Sequence, residues 1–166
     1  METAIKEVSA DYQSQIPWQK VVQSEAIVIH CSDPHFKEHF DNFLKNHLKI
    51  AHPTHIVIPG GITLMLPLLG KGFKFGKQIV DLVSDISKAR RIICIAHEDC
   101  MIYKEHKILE WALSKAGMNI KDIQLKHLKE AGSTFELWFP GTEIQLYYAD
   151  VEKQGDNDVV VFKEVA

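Results

Sequence analysis

The sequence lacks any apolar run long enough to cross a bilayer, which takes roughly 18 to 20 residues. Its longest candidate, residues 62–69, is far shorter and is interrupted by Pro67. The opening Met1-Glu2-Thr3-Ala4-Ile5-Lys6-Glu7 has no basic segment followed by an apolar core, so no secretory signal is read there and a cytoplasmic location is expected. Neither sign of charge prevails: 19 Lys plus Arg stand against 22 Asp plus Glu, a formal net charge of −3. That balance gives no electrostatic reason to expect nucleic acid or an anionic membrane as partner. Cysteine is scarce and odd in number, three in all. With no export signal this argues against a disulfide framework, and leaves burial, catalysis or metal binding as the use of each thiol. No internal repeat or low-complexity segment is present.

What remains is an ordinary globular composition, 46% hydrophobic and 25% charged over 166 residues, enough for one domain with a core of its own. Residues 1–24 are polar and weakly periodic, with Pro17-Trp18 in the middle, and read as a partly helical N-terminal arm that packs on another surface. Residues 25–166 read as a single α/β domain.

Within it, residues 25–31 form a short β-branched run, Ala-Ile-Val-Ile-His-Cys after Glu25, as expected of a buried strand. Asp33-Pro34 then starts a helix, with Asp as cap and Pro at the first helical position. Phe36, Phe40, Phe43, Leu44 and Leu48 recur at helical spacing, which predicts an amphipathic helix over 34–48. A second strand is predicted at 55–59, cut off by Gly60-Gly61, and residues 62–76 read as irregular. A helix over 77–87 is expected to turn Val80, Leu82, Val83 and Ile86 inward. A third buried strand spans 91–96, a third helix 103–116 with Gly117 as its stop, and a fourth strand 123–128. Residues 143–151 and 158–163 alternate as two further strands. Strands alternating with amphipathic helices predict a mostly parallel central sheet flanked by helices.

Ligands of such sheets collect at the C-terminal ends of the strands. The first strand ends in His30-Cys31-Ser32-Asp33-Pro34-His35, the second in Pro59-Gly60-Gly61, the third in Ala96-His97-Glu98-Asp99-Cys100. Two thiols and an imidazole therefore meet at one sheet edge, a donor set that suits zinc. His97 and Cys100 can face one ion from a single turn, and Cys31 arrives from a neighbouring strand. A fourth position is left for water or for Asp33. The competing reading is two buried thiols and a core histidine. Asp33 also has its capping role, Cys94 lies inside a strand and reads as core, and His30 reads as structural. Glu98 and Asp99 read as turn residues. The glycines and lysines of 70–77 superficially suggest a phosphate loop, but no strand leads into them and the spacing fails.

Cys31-Ser32-Asp33-Pro34-His35 followed by His97-Glu98-Asp99-Cys100 resembles the β-class carbonic anhydrases, which carry Cys-x-Asp-x-Arg and then His-x-x-Cys. Gly60-Gly61 lies where that family has a small-residue turn, and Tyr147-Tyr148-Ala149-Asp150-Val151 looks like its C-terminal strand. The resemblance implies a β-carbonic-anhydrase-like fold with an antiparallel C-terminal edge. It implies Zn2+ on Cys31, His97 and Cys100, and reversible hydration of carbon dioxide to bicarbonate by zinc-bound hydroxide. Asp33 and His35 would then be catalytic, Gly60 and Gly61 would bind substrate, and the chain would be a homodimer or higher homo-oligomer with the arm crossing to its partner. Three positions depart from the pattern: His35 for the Arg, Met101 for a Gly, and the apolar stretch 62–69. A histidine does not reproduce the fixed bidentate cation that pairs with the Asp. An Asp33–His35 pair doing the same work leaves an enzyme acting on carbon dioxide or a related small heteroallene. Asp33 closing the metal site leaves a non-catalytic zinc scaffold. A regulatory protein working through residues 62–77 is the third reading.

Overall fold

The computed structural model describes residues 14–15, 18, 20, 23–66, 71–105, 117 and 119–166. The expected N-terminal arm (1–24) and the expected third helix beyond Glu105 fall largely outside these residues. Among the described residues, five strands form one sheet: β1 (Ala26–Cys31), β2 (Pro53–Ile58), β3 (Arg91–His97), β4 (Glu143–Gln154) and β5 (Asn157–Glu164). The sheet order is β2-β1-β3-β4-β5. Every pairing is parallel except the last, in which β4 and β5 form an antiparallel hairpin. The mostly parallel α/β sheet with an antiparallel edge is thus the architecture expected from the sequence.

β1 and β3 are central and covered on both faces, which is why they read as unbroken β-branched runs rather than alternating ones. Ile27, Ile29, Ile92 and Cys94 join one core cluster, with Val80 and Leu128. Val28, Ile93 and Ile95 join the other, with Phe36, Phe40 and Phe43. Each fully buried isoleucine contributes roughly 1.5–3 kcal/mol of transfer free energy, so the two strands that carry the metal-type residues are the most firmly held in the sheet.

Helix α1 (Pro34–Asn42) starts as the sequence predicts: Asp33 is the N-cap and its side chain accepts from the His35 N–H. It does not run on as regular α-helix. Residues Phe43–His47 form a π-turn in which Leu48 N–H donates to Phe43 O. The wider turn lets the adjacent Phe43 and Leu44 both be buried. Gly61–Met65 is a 3-10 turn within the stretch expected to be irregular.

α2 (Lys71–Ser87) begins six residues before the expected start. Its inner face is set by Gly76, Val80 and Ser87, with Ile79 and Val83 packed on the core. Leu82 and Ile86 are exposed, correcting the expectation that they point inward. α3 (Met101–Glu105) follows β3 at once.

The largest correction concerns residues 123–128. They are the second turn onward of a 19-residue helix, α4 (Ile120–Trp138), and not a strand. Ile123, Leu125 and the polar residues between them alternate over too short a window to separate period 2 from period 3.6. Asn119 decides it: its side chain caps the helix by accepting from Asp122 N–H at 2.9 Å. Ile123, Gln124, His127, Leu128, Ala131 and Phe135 then form one buried face.

Candidate metal centre

Cys31 is the last residue of β1, His97 the last of β3, and Cys100 lies one residue before α3. The parallel β1–β3 pairing brings the two strand ends together, so residues far apart in sequence share one corner. All three are buried, and their ligand atoms lie within 4.8 Å of one another. The Cys31 and Cys100 sulfurs are 3.9 Å apart.

The electrostatics of this corner favour a cation. A hydrogen bond with the Cys100 sulfur, helped by the Gly60 N–H at 3.3 Å, draws the Cys31 thiol well below its ordinary value against the opposing effect of burial. The same pairing and burial push Cys100 up. The two sulfurs 3.9 Å apart titrate as one coupled pair, whose remaining proton a metal would displace. His97 completes the set. Its Nδ1 lies 2.7 Å from Glu98 O; a carbonyl can only accept, so Nδ1 carries the hydrogen and Nε2 the lone pair. Nε2 is buried with no hydrogen-bond partner among the described residues. An orphaned buried acceptor beside a thiolate is costly unless something positive sits there. Thiolate, thiol and imidazole fit a borderline transition metal, and with three protein donors the arrangement leaves a position open.

At Cys31 opens a cavity of about 770 Å3, walled also by Asp33, His35, Phe36, Met101 and Ile102 among others. Asp33 stands at its lip. Its Oδ1 accepts from the His35 N–H and faces His35 Nδ1, each at 2.9 Å. Burial pushes the Asp33 carboxyl up, but the two His35 contacts, with His97 and the charge on His35, outweigh it and leave the carboxyl below its ordinary value. The His35 side chain is 87% exposed, so its hold on Asp33 is exercised in water. Gly60 and Gly61 form the turn under Cys31, both buried and both at positive φ. The Gly60 N–H is given to Cys31 Sγ, and a Cβ on Gly61 would stand 3.2 Å from Cys31 N. Glu98 ties the loop between His97 and Cys100 to β4, its carboxylate accepting from Val151 N–H at 2.7 Å. Asp99, at φ 62, pairs with Lys104. Cys94 is fully buried and takes no part. His30 is structural, bonded to Cys31 O and to His55.

No protein-family model matches the sequence, and no curated protein matches it. Solved structures do. A β-carbonic anhydrase of the protozoan Trichomonas vaginalis aligns at TM-score 0.50 and 16% identity, over 90% of this chain and 87% of that one. One from the fungal pathogen Aspergillus fumigatus aligns at 0.54 and 10%, over 86% and 75%. A tetrameric one from the ascomycete Sordaria macrospora aligns at 0.53 and 11%, over 77% of each chain. The fold is that of the β-carbonic anhydrases. At such identities the likeness speaks for the fold alone. Within this β-carbonic-anhydrase fold, the sequence motifs had pointed to the residues that converge, Cys31, His97 and Cys100, with Asp33 and His35 beside them.

Sequence reasoning passed over Gln124 and Tyr148. Gln124, 1% exposed, donates from Nε2 to His97 O at 2.8 Å and accepts at Oε1 from the Tyr148 hydroxyl at 3.0 Å. Helical periodicity over 120–135 would have placed this amide on a buried face; reading the segment as a strand concealed it.

Proposed function

We propose that the chain is a zinc enzyme that reversibly hydrates carbon dioxide to bicarbonate, its metal held by Cys31, His97 and Cys100. The observation that carries this is the orphaned Nε2 of His97 turned, with two cysteine sulfurs, toward one buried point beside an open cavity. When bound there, zinc supplies Lewis acidity that brings the ionisation of water into the neutral range.

The chain's own residues do the rest. Asp33, kept ionised by its His35 contacts, accepts a hydrogen bond from the attacking water and fixes its direction. His35 holds the Asp33 carboxylate in place, in the role that a guanidinium has in the pattern this sequence resembles. Phe36 and Ile102 give an apolar wall for a small neutral substrate, and Gly60-Gly61 keep the turn beside Cys31 thin enough for substrate to approach. Among the described residues no helix is long and apolar enough to cross a membrane. The proposed assembly is a homo-oligomer, in keeping with the tetrameric description of the Sordaria macrospora enzymes. A second reading is a zinc scaffold without catalysis, favoured by the 87% exposure of His35: a carboxylate braced by one backbone N–H and a solvent-exposed imidazole is free to turn onto the metal.

Stopped-flow carbon dioxide hydration by the zinc-loaded protein across roughly pH 7 to 9, with zinc content measured alongside, tests the proposal. A rate above buffer that rises with pH and disappears in Cys100→Ser supports the enzyme. A background rate from protein holding one zinc per chain sinks it in favour of the scaffold. Sedimentation of the same preparation reads the assembly.

A further inference from the structure

The two ends of the segment that carries His97 and Cys100 are gripped by one helix. α4 presents two buried polar residues, Gln124 and His127, three apart and therefore on the same face. Gln124 reaches the His97 end. Its amide donates to His97 O at 2.8 Å, and its orientation is fixed because Oε1 accepts from the Tyr148 hydroxyl at 3.0 Å. His127 reaches the other end, its Nδ1 3.1 Å from the hydroxyl of Tyr103, which lies in α3 directly after Cys100. Tyr103 is 1% exposed and packs with Cys31, Cys100 and Ile123. None of these polar groups is needed for the core as such: aliphatic side chains of equal volume would fill the space with less desolvation.

From this arrangement we infer that Gln124, oriented by Tyr148 and seconded by His127, is a positioning residue of the metal centre. It fixes the carbonyl of His97, hence the rotation of that backbone and the direction of the imidazole Nε2. The inference rests on the metal reading of Cys31, His97 and Cys100 and deepens it. Side chains one step removed from a metal ligand typically alter affinity by about 10- to 100-fold when lost, and Gln124 falls in that class through the backbone of His97 rather than its ring.

The test uses the full chain loaded with Co2+, whose thiolate charge-transfer and ligand-field bands report the donor geometry. Gln124→Met removes both hydrogen bonds at nearly constant shape. The expected result is cobalt loss to a chelator about 10- to 100-fold faster than wild type with shifted ligand-field bands, beside a lower apo-protein melting temperature from the buried Tyr148 hydroxyl and His97 carbonyl left unpaired. Tyr148→Phe, which only frees the amide to rotate, shifts both readouts the same way by less. Unchanged release and spectrum in Gln124→Met overturn the inference, as does a lowered apo melting temperature with release unchanged. Should Gln124→Met fail to fold, Tyr148→Phe decides by the same two readouts. Wild type that takes up no cobalt overturns the metal reading and this inference together. Wild type that binds cobalt through Cys100, while Gln124→Met holds it as tightly, overturns this inference alone.

Discussion

At the scale of single residues, the chemistry turns on which atoms are free to bind and which are already engaged. His97 Nδ1 is committed to Glu98 O, and that one bond leaves the other nitrogen as the one that can serve as a ligand. Asp33 Oδ1 is committed to His35, and that bond is where this chain departs from the motif it resembles. An imidazole that is 87% exposed is a weaker brace than a guanidinium fork. His35→Arg is therefore expected to raise carbon dioxide hydration about tenfold, the equivalent of 1.4 kcal/mol in barrier, and Asp33→Asn to lower it by about 100-fold. Initial rates at constant zinc content check both. A His35→Arg rate equal to or below that of wild type would show that Asp33 does not depend on this brace.

At the scale of elements, the site is made by how strands stop. β1 stops at Cys31, and β2 stops one residue short of the Pro59-Gly60-Gly61 turn that passes beneath it. Gly61 has φ 56, and a Cβ there would stand 3.2 Å from both Cys31 N and His30 C. These are backbone atoms of a central strand and cannot swing aside. Gly61→Ala combines that clash with an unfavourable left-handed conformation, so a loss of about 1–3 kcal/mol is expected. Because the displaced strand end carries a ligand, metal retention should fall with it. Denaturant unfolding of metal-free protein, set beside zinc content after dialysis, separates the two effects. A variant as stable as wild type would mean that the turn relaxes more easily than its contacts indicate.

At the scale of the whole molecule, Asp150 joins three elements. It belongs to β4, is 6% exposed, and binds Lys121 of α4 and Lys163 of β5. Burial pushes its carboxyl up, but the two lysines outweigh burial and hold it below the ordinary value. A group depressed in the folded state stabilises above its unfolded value and loses that contribution as pH falls through the folded one. Asp150 therefore adds stability at neutral pH that disappears below about pH 4. Asp150→Asn should cost about 1.5–3 kcal/mol at pH 7 and progressively less as pH falls below about 4, so its melting curve should approach that of wild type on acidification. A gap that stays constant from pH 7 to pH 3 would assign the effect to packing.

The sequence by itself determined the candidate donor set and the sheet that carries it. Cys31, His97 and Cys100 could be read as neighbours because each follows a β-branched run, and parallel strands deliver their C-terminal ends to one edge. The Asp33-Pro34 cap likewise located the start of α1, since capping is a local interaction. Tertiary structure alone decided what depends on long-range contact. Residues 123–128 alternate like a strand, yet they lie in α4 because Asn119 caps a helix whose buried face packs on β3 and β4. Leu82 and Ile86 are as apolar as Val80 and Val83, and only the angle at which α2 meets the core leaves the first pair outside. Gln124 and Tyr148 carry no motif. They reach the candidate metal centre because α4 brings the Gln124 amide to the His97 carbonyl and β4 brings the Tyr148 hydroxyl to that amide, a meeting of three segments that no spacing along the chain encodes.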